Sequence, residues 1–549
     1  MKTEGWKAIQ TEKITVAELV YDIYFAIMLF AKGIGLYEGQ KAYTICLLVS
    51  TFLLAVKLVI TKHSVLEYII IGLLGGMGCI IFFYTGEKSA LIYILMIIGM
   101  KGVSTKRVFK VGLCVWGGTF FAQVLLSLLG LRADIFYIHK KLGVGHLIRW
   151  SLGYPHPNVL HISYFILIAF ILYFVRAEQK NLEKIIAIMF LGNIYIFAYS
   201  LSYTGFALTT IFLAIYYYFA KRKKLSKTEG ALIQCVFPAC FLFSVVGPLV
   251  IKGKLFDILN KILNTRFFMS KYFLTTQKLE LFGTTAFDLP DYSYNLDCSY
   301  VNALFYHGII PTLCMFVGYI FLVRYLYKEN RRKELAITLG IVIAGISEPF
   351  LVNTSYKNVT FLFMGEMLFA MTQKYAVSGK IVFLNRAFSI IPIGEKECSI
   401  GTKRIKRTCR NIVWKMKYVC SRYRRWLILT ALLVFWGTTA GYLMAADIPD
   451  RVYALLWSCD RKEDAGQAPD ANYVYLDIEQ LPENFNGRIL NYKDKETPLY
   501  AFDRITVQFE YGRKAISYGM IVACMVSVLM ILGFGIRLRE IGDLSDNGF

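Results

Sequence analysis

Charged residues are scarce in this sequence, and their scarcity excludes an ordinary soluble protein. Only 18% of the 549 residues are Asp, Glu, Lys or Arg, whereas 56% are hydrophobic and the mean hydropathy is +0.50. A soluble domain carries about 25% charged residues. The composition therefore favours a chain that crosses a membrane many times.

Signatures of metal, disulfide and nucleotide sites are also missing. None of the 12 cysteines forms a CxxC pair, and only Cys298 and Cys459 lie outside predicted spans and cytoplasmic segments. No DxD motif occurs, and no glycine-rich loop follows a strand, so we expect neither a metal nor another cofactor. Residues 1–13 lack a signal-peptide pattern, which predicts that the first span is retained as an anchor.

Acidic residues are outnumbered, and the formal net charge is +23. Nucleic acid is not the expected partner, because Lys and Arg form short clusters beside apolar runs, as the positive-inside rule requires. We assign the cytoplasmic side to these clusters, which places both termini in the cytoplasm: Lys101–Lys110, Lys221–Lys224, Arg324–Lys333 and Lys403–Arg425. The 14 Lys and Arg of Lys374–Trp426 set topology and attract anionic membrane lipid.

Apolar runs predict the fold class, an all-α polytopic protein of the cell membrane with about 14 spans. Twelve lie in a first domain, 1–373: Val16–Gly35, Ala42–Ile60, Val65–Tyr84, Ala90–Met100, Val108–Leu131, Val159–Val175, Ile185–Ser200, Gly205–Ala220, Ala231–Ile251, Tyr300–Val323, Leu335–Val352 and Val359–Met371. A basic cytoplasmic linker, 374–425, follows. The last domain, 426–549, has spans at Trp426–Ala445 and Tyr518–Ile536.

Three segments are predicted to lie outside: Arg132–Asn158, Lys252–Ser299 and Asp447–Ile516. Alternating residues in Tyr473–Ile478 and Ile505–Tyr511 predict strands in the third segment. We therefore expect a small α+β extracellular domain, 447–516, between the last two spans.

The first two outer segments carry cations where topology does not require them. Arg149 and Arg266 suit an anionic ligand, since guanidinium binds phosphate in a bidentate manner; solvated loops or lipid headgroups are the alternative. Asp297 with nearby tyrosines suits sugar rings. Glu348, near the outer end of a span, indicates a functional role, with helix capping as the alternative.

Four short patterns resemble the Wzy-like oligosaccharide repeat-unit polymerases, which share a broader group with the O-antigen ligases. Arg149-Trp-Ser-Leu-Gly-Tyr-Pro-His156-Pro-Asn158 is similar to the family's Arg-x-x-x-Gly-Phe-x-His-x-Asn loop. Ser200-Leu-Ser-Tyr-Thr-Gly205-Phe resembles its Ser-Arg-Thr-Gly-Phe stretch, with Tyr203 in place of arginine. The remaining matches are Leu259 to Arg266 followed by Leu281-Phe-Gly283, and Asp297-Cys-Ser-Tyr300-Val-Asn302 followed by Gly308-Ile-Ile-Pro311, with Cys298 in place of an amide.

The resemblance covers about Val16 to Lys374 and implies a metal-independent membrane glycosyltransferase. Its substrates would be polyprenyl-pyrophosphate-linked oligosaccharides of capsular or exopolysaccharide synthesis, and its partners a chain-length regulator and a flippase. Expected catalytic residues are Arg149 and Arg266 for pyrophosphate, His156 as base, and Asp297 as alternative base or sugar ligand; expected substrate-binding residues are Asn158, Tyr294, Tyr300, Asn302 and Glu348. A ligase-like transfer to another acceptor and a lipid-linked oligosaccharide flippase are the alternatives.

Overall fold

The structure is a computed structural model, and it describes residues 14–132, 134–141, 145–176, 181–222, 224–290, 294–378, 382–398, 416, 418–446, 448, 452–455, 475–476, 489–492, 495–502 and 504–546. It is mostly helical, and ten helices in this described part are long and apolar enough to cross a membrane. The prediction of a largely helical, multi-pass membrane protein is therefore confirmed. Residues 1–13, most of the linker 374–425 beyond Cys398, and Cys459 lie outside the described residues.

The chain forms two compact units. The larger unit comprises Ile14–Val124 and Pro157–Cys398, and the smaller unit contains Leu125–His156 and the chain from Ser399 onward. The domain limits 1–373, 374–425 and 426–549 stay predictions.

In its described residues the larger unit has sixteen α-helices, of which α5 continues into the smaller unit at Leu125, together with short π and 3₁₀ segments. The α-helices are α1 Val16–Gly33, α2 Lys41–Ile60, α3 Val65–Thr85, α4 Ser89–Ile98, α5 Thr105–Leu128, α6 Pro157–Phe174, α7 Leu182–Ser200, α8 Tyr203–Lys221, α9 Lys227–Val245, α10 Gly247–Val250, α11 Gly253–Ile262, α12 Arg266–Thr276, α13 Ser299–Asn302, α14 Ile309–Lys328, α15 Arg332–Ala344 and α16 Thr360–Ser378. A π-helix, Ala303–His307, joins α13 to α14, and a 3₁₀ turn, Pro349–Leu351, follows α15.

The core of the larger unit lies around α15, which packs against α8, α9 and α6. Nearly all of α15 is buried, from Leu335 to Ala344, and α6 is buried over two-thirds of its length. A helix that is apolar on all sides must be covered, either by other elements or by lipid, and α15 is covered by other helices. Capping boxes mark the first turns of two helices. Helix α3 begins with Ser64 and Glu67, and helix α9 begins with Ser226 and Glu229.

Four predicted spans are not among the ten long apolar helices. They correspond to α1, which carries Glu18, Asp22 and Lys32, to the 10-residue α4, to the 13-residue α15, and to α16. The number of spans therefore stays a prediction.

The predicted span Leu335–Val352 is wrong at its carboxyl end. The helix stops at Ala344, and Glu348 has an extended backbone with φ −133° and ψ 137°. Pro349 explains the difference, because proline disfavours helical geometry in the residue that precedes it. Glu348 thus sits in an irregular connection, beyond the end of a helix.

The smaller unit contains a hairpin, two long helices and a small sheet. Strands β3 (Phe136–Lys141) and β4 (Gly145–Trp150) form the antiparallel hairpin. Helices α17 (Arg424–Ala445) and α18 (Arg504–Asp546) pack antiparallel, with the ring of Tyr423 4.2 Å from that of Phe534. Between them, four antiparallel strands follow the order β8 (Tyr475–Leu476), β7 (Val452–Leu455), β10 (Lys495–Phe502), β9 (Ile489–Tyr492).

The strand predicted at Tyr473–Ile478 overlaps β8 at Tyr475 and Leu476, its only described residues, but the one predicted at Ile505–Tyr511 is wrong. Those residues form the first two turns of α18. Alternation over seven residues is compatible with a helix, and a turn added to an existing helix costs little compared with nucleation. The long apolar helix therefore extends back through this segment to Arg504.

Chain segment 382–398 closes back onto the start of the larger unit. Strands β5 (Ala387–Phe388) and β6 (Glu397–Cys398) pair with β2 (His63–Ser64) and β1 (Ile14–Thr15), respectively. Backbone hydrogen bonds extend this pairing, including Val65 N–H to the Arg386 carbonyl at 2.9 Å. This part of the predicted linker is thus fixed to the beginnings of α1 and α3.

Candidate functional site

Arg266 is the first residue of α12, and its side chain is buried in the larger unit. The two residues before it, Asn264 and Thr265, have φ angles of +51° and +68°, so the chain turns sharply between α11 and α12. Arg266 is 5% exposed, and Nη1 donates to the Leu263 carbonyl over 3.4 Å. A buried guanidinium requires anionic or hydrogen-bonding partners, because desolvation of an unpaired charge is costly.

Two carboxylates supply those partners. Arg266 Nη2 lies 3.2 Å from Asp297 Oδ2 and 3.4 Å from Glu348 Oε1. The two carboxylates differ in access, since the side chain of Asp297 is 43% exposed and that of Glu348 only 8%. We call these three residues the Arg266 cluster. It is open to solvent on the Asp297 side and closed on the Glu348 side.

Burial changes the proton affinity of the groups in and around the cluster. It raises the pKa of Glu348 to about 7, although Arg266 opposes the shift. Desolvation likewise raises the pKa of Asp297, again against the effect of Arg266. Burial lowers the pKa of Lys357 to about 8, with Glu348 opposing. A carboxyl that titrates near neutral pH can exchange a proton under physiological conditions, as acid–base sites require.

Ser299 fastens the two carboxylate-bearing segments together. Its Oγ donates to the Glu348 carbonyl at 2.5 Å and accepts from Leu351 N–H at 3.2 Å. Its own N–H donates to the Gly345 carbonyl at 2.9 Å. The start of α13 is therefore bound to the connection after α15, and Asp297, two residues before Ser299, is held beside Glu348.

Two glycines of the sequence patterns lie backbone to backbone next to this site. Gly283 has φ +85° and Gly308 has φ +92°, and a Cβ on Gly283 would approach the Tyr306 carbonyl oxygen to 2.2 Å. The close approach allows Thr284 N–H to donate to the Phe305 carbonyl at 2.8 Å. Only glycine fits both the φ angle and the space. The Phe-Gly segment thereby packs on the π-helix, a type of element frequent at functional sites.

The tyrosines predicted to bind substrate occupy different environments. Tyr294 is half-buried, with its ring 4.7 Å from that of Tyr272. Tyr300 is fully buried, and its hydroxyl donates to the Val342 carbonyl at 2.7 Å. The contacts described for Tyr300 are thus made with the protein interior, whereas Tyr294 keeps surface available to a ligand.

The predicted asparagines lie at the ends of helices. Asn302, the last residue of α13, donates from Nδ2 to the Leu296 carbonyl at 3.1 Å and so folds the Asp297 loop against α13. Asn158 is half-buried in the first turn of α6 in the larger unit.

Arg149 and His156 belong to the smaller unit, where both lie near Tyr137. Arg149 is 4% exposed on β4 and pairs in register with Tyr137 on β3. The half-buried His156 ring lies 4.8 Å from the Tyr137 ring, and the Tyr137 hydroxyl donates to the Pro155 carbonyl at 3.0 Å. Within this unit, Tyr137 thus lies beside both ends of the Arg149–His156 loop.

Two residues near the Arg266 cluster were not predicted. Thr204 Oγ1 lies 3.5 Å from Glu348 Oε1, and Lys357 is 7% exposed and interacts electrostatically with Glu348. The sequence contains a signal for Lys357, since it and Glu348 are the only charged residues between Leu335 and Gly365. Thr204 belongs to the Ser-Tyr-Thr-Gly stretch of the second sequence pattern.

The Arg266 cluster combines a cation, an accessible carboxylate and a carboxyl that titrates near neutrality. Such a set can neutralise an anion, orient a hydroxyl group and accept its proton. No protein-family model, no curated protein and no solved structure matches this chain.

Proposed function

We propose that the protein polymerises polyprenyl-pyrophosphate-linked oligosaccharide repeat units at the outer face of the cell membrane, in capsular or exopolysaccharide synthesis. The observation that carries the proposal is the Arg266 cluster. It joins a buried guanidinium to one exposed and one enclosed carboxylate, in a protein whose described residues include ten apolar helices long enough to span a membrane. Two residues of the cluster, Arg266 and Asp297, belong to the patterns that resemble the Wzy-like polymerases, whereas Glu348 lies outside those patterns.

The proposed reaction needs charge stabilisation and a proton acceptor. The hydroxyl oxygen of one repeat unit bonds to the anomeric carbon of another glycan as the bond from that carbon to pyrophosphate breaks. Polyprenyl pyrophosphate leaves with the bonding electrons, and Arg266 neutralises the negative charge that develops on it. The hydroxyl proton passes to Asp297 or, in the alternative, to His156.

The difference in exposure between the carboxylates supports an order of events. Both Asp297 and Glu348 contact Arg266 Nη2, so an incoming pyrophosphate that binds this nitrogen replaces one of them. Asp297 is the more exposed carboxylate, and we propose that it yields its place and becomes free to receive the acceptor hydroxyl. Glu348 stays behind as the enclosed partner of Arg266.

Further assignments complete the proposal. Both termini are cytoplasmic, 447–516 is an extracellular domain, and spans additional to the ten long helices bring the total to about 14. Arg149 and Asn158 contact the donor, and Tyr294 and Asn302 contact the sugars. A chain-length regulator and a flippase are the protein partners.

The experiment uses purified full-length protein in nanodiscs with isolated lipid-linked repeat units, and follows the products by gel and mass spectrometry. A ladder of lipid-linked chains supports polymerisation. A single transfer to a different acceptor supports a ligase, and movement across the bilayer without a new glycosidic bond supports a flippase; either result overturns the proposal.

Arg266 variants test the site itself. We expect Arg266→Ala to lower turnover by about 100-fold or more, the usual effect of removing one charge-stabilising group, and Arg266→Lys to recover part of it. Lys261→Ala, an exposed cation of the preceding helix, is the matched control. Unchanged turnover in a folded Arg266→Ala protein would show that the cluster is not the active site.

A further inference from the structure

The β3–β4 hairpin is bound by side chains of α18 within the smaller unit. Trp150, which follows Arg149, donates from Nε1 to Glu510 Oε2 at 2.8 Å, across 360 positions of sequence. Glu510 in turn forms an ion pair with Arg513, one helical turn later. Glu510 and Arg513 are only 6% and 5% exposed. Helix α18 is otherwise apolar enough to span a membrane. Because burying charged groups on such a helix is costly, this ion pair indicates a specific role.

Arg513 makes two further interactions in the region of the loop, with Trp150 and with Asp134. Its guanidinium carbon lies 5.6 Å from the Trp150 ring centroid, within the range of a cation–π contact. Burial raises the pKa of the Asp134 carboxyl, and the hydrogen bond from Gly153 and the charge of Arg513 each oppose part of that rise. Asp134 Oδ1 accepts a hydrogen bond from Gly153 N–H at 3.1 Å. Because Gly153 lies between Arg149 and His156, the α18 pair is linked to this loop directly at Trp150 and, through Asp134, at Gly153.

We infer that Glu510 and Arg513 are positioning residues that hold the Arg149–His156 loop in the geometry that binds the anionic lipid-linked donor. The functional half of this inference rests on the proposed function, since it takes Arg149 and His156 to contact substrate. It gives the two-helix carboxyl-terminal region, which lies outside the family resemblance, a direct part in the reaction. The loop geometry then depends on residues that the chain supplies hundreds of positions later.

The first test measures loop geometry without any substrate. Hydrogen exchange of residues 145–156 is followed in the full chain for the wild type, Glu510→Ala, Glu510→Gln and Trp150→Phe. We expect exchange about tenfold faster or more in Glu510→Ala and Trp150→Phe, because each breaks a buried hydrogen bond to a charged group. Glu510→Gln keeps an acceptor oxygen for Trp150 and should remain close to the wild type. Ile505→Ala, at a side chain 76% exposed on the same helix, is the control.

The second test joins loop geometry to turnover. In the double variant Trp150→Phe with Glu510→Ala, the effects should not add, because both changes remove one interaction. Turnover on lipid-linked repeat units should fall in parallel with faster exchange and recover in Glu510→Gln, with the loss concentrated in KM for the donor. Unchanged loop exchange in Glu510→Ala would overturn the inference. Faster exchange with unchanged turnover would overturn the roles of Arg149 and His156 and leave polymerisation at Arg266 to be decided by the Arg266 variants.

Discussion

Glu348 should make the stability of the protein depend on pH in a way that one substitution removes. Burial raises its pKa from 4.5 to about 7 in the folded protein. A carboxyl with a raised folded-state pKa binds its proton more tightly in the folded than in the unfolded chain. Its contribution to stability is therefore complete below pH 4.5 and is lost as the pH rises through about 7. The shift corresponds to roughly 3 kcal/mol of unfolding free energy.

Glu348→Gln tests this reasoning, because glutamine retains an oxygen for Arg266 but does not titrate. The free energy of unfolding is measured in detergent at intervals from pH 4.5 to 8. The wild type should lose roughly 3 kcal/mol more than the variant across this range. Glu183→Gln, which removes an exposed carboxylate paired with Lys221, should keep the wild-type pH dependence. An identical pH slope in the wild type and Glu348→Gln would refute the assignment of this titration to Glu348.

Two other changes test how the site is held together. Gly283→Ala should destabilise the protein strongly, because the new methyl group would meet a backbone carbonyl at a position with a φ of +85°. Gly72→Ala, with open space around it, should not destabilise the protein. Thermal unfolding compares the two variants. Ser299→Ala should cost about 2 to 3 kcal/mol, because it leaves a buried N–H without an acceptor and the Glu348 carbonyl without that donor. Thr51→Ala, which removes an exposed hydroxyl–backbone bond, serves as its control, and equal losses in the two variants would contradict the proposed fastening.

The sequence was most informative where a residue type is expensive in an apolar environment. Glu348 stands out because charges are rare in long apolar runs, whereas Arg266 and Asp297 stand out through the sequence patterns that contain them. The structure brings all three together. Their pairing could not be derived, since it depends on Ser299 linking two segments 49 positions apart. Pro349 is a local signal that the helix ends before it, but the length of the apolar run predicts a longer helix.

Cys298 shows that a residue's position in a sequence motif does not by itself establish that its side chain lines the site. It replaces an amide that the resemblance leads one to expect next to Asp297. The structure buries the Cys298 side chain to 2% exposure, beside Ser244 and Ser270. Cys298 is therefore a packing residue in this chain, and a small thiol suits that role. Local patterns predict which residue types meet, but packing against distant helices decides which of them face the site.

The pairing of segment 382–398 with the beginnings of α1 and α3 has a consequence for biogenesis. During synthesis, the first helices enter the membrane long before residues 387–398 leave the ribosome. Strands β1 and β2 therefore lack their partner strands until more than 300 further residues have been synthesised. Contacts of such sequence separation form late and slowly. The larger unit can therefore complete its structure only after its last helix has been inserted. A nascent chain truncated before residue 387 should remain open to chaperones and proteases at these two strand edges.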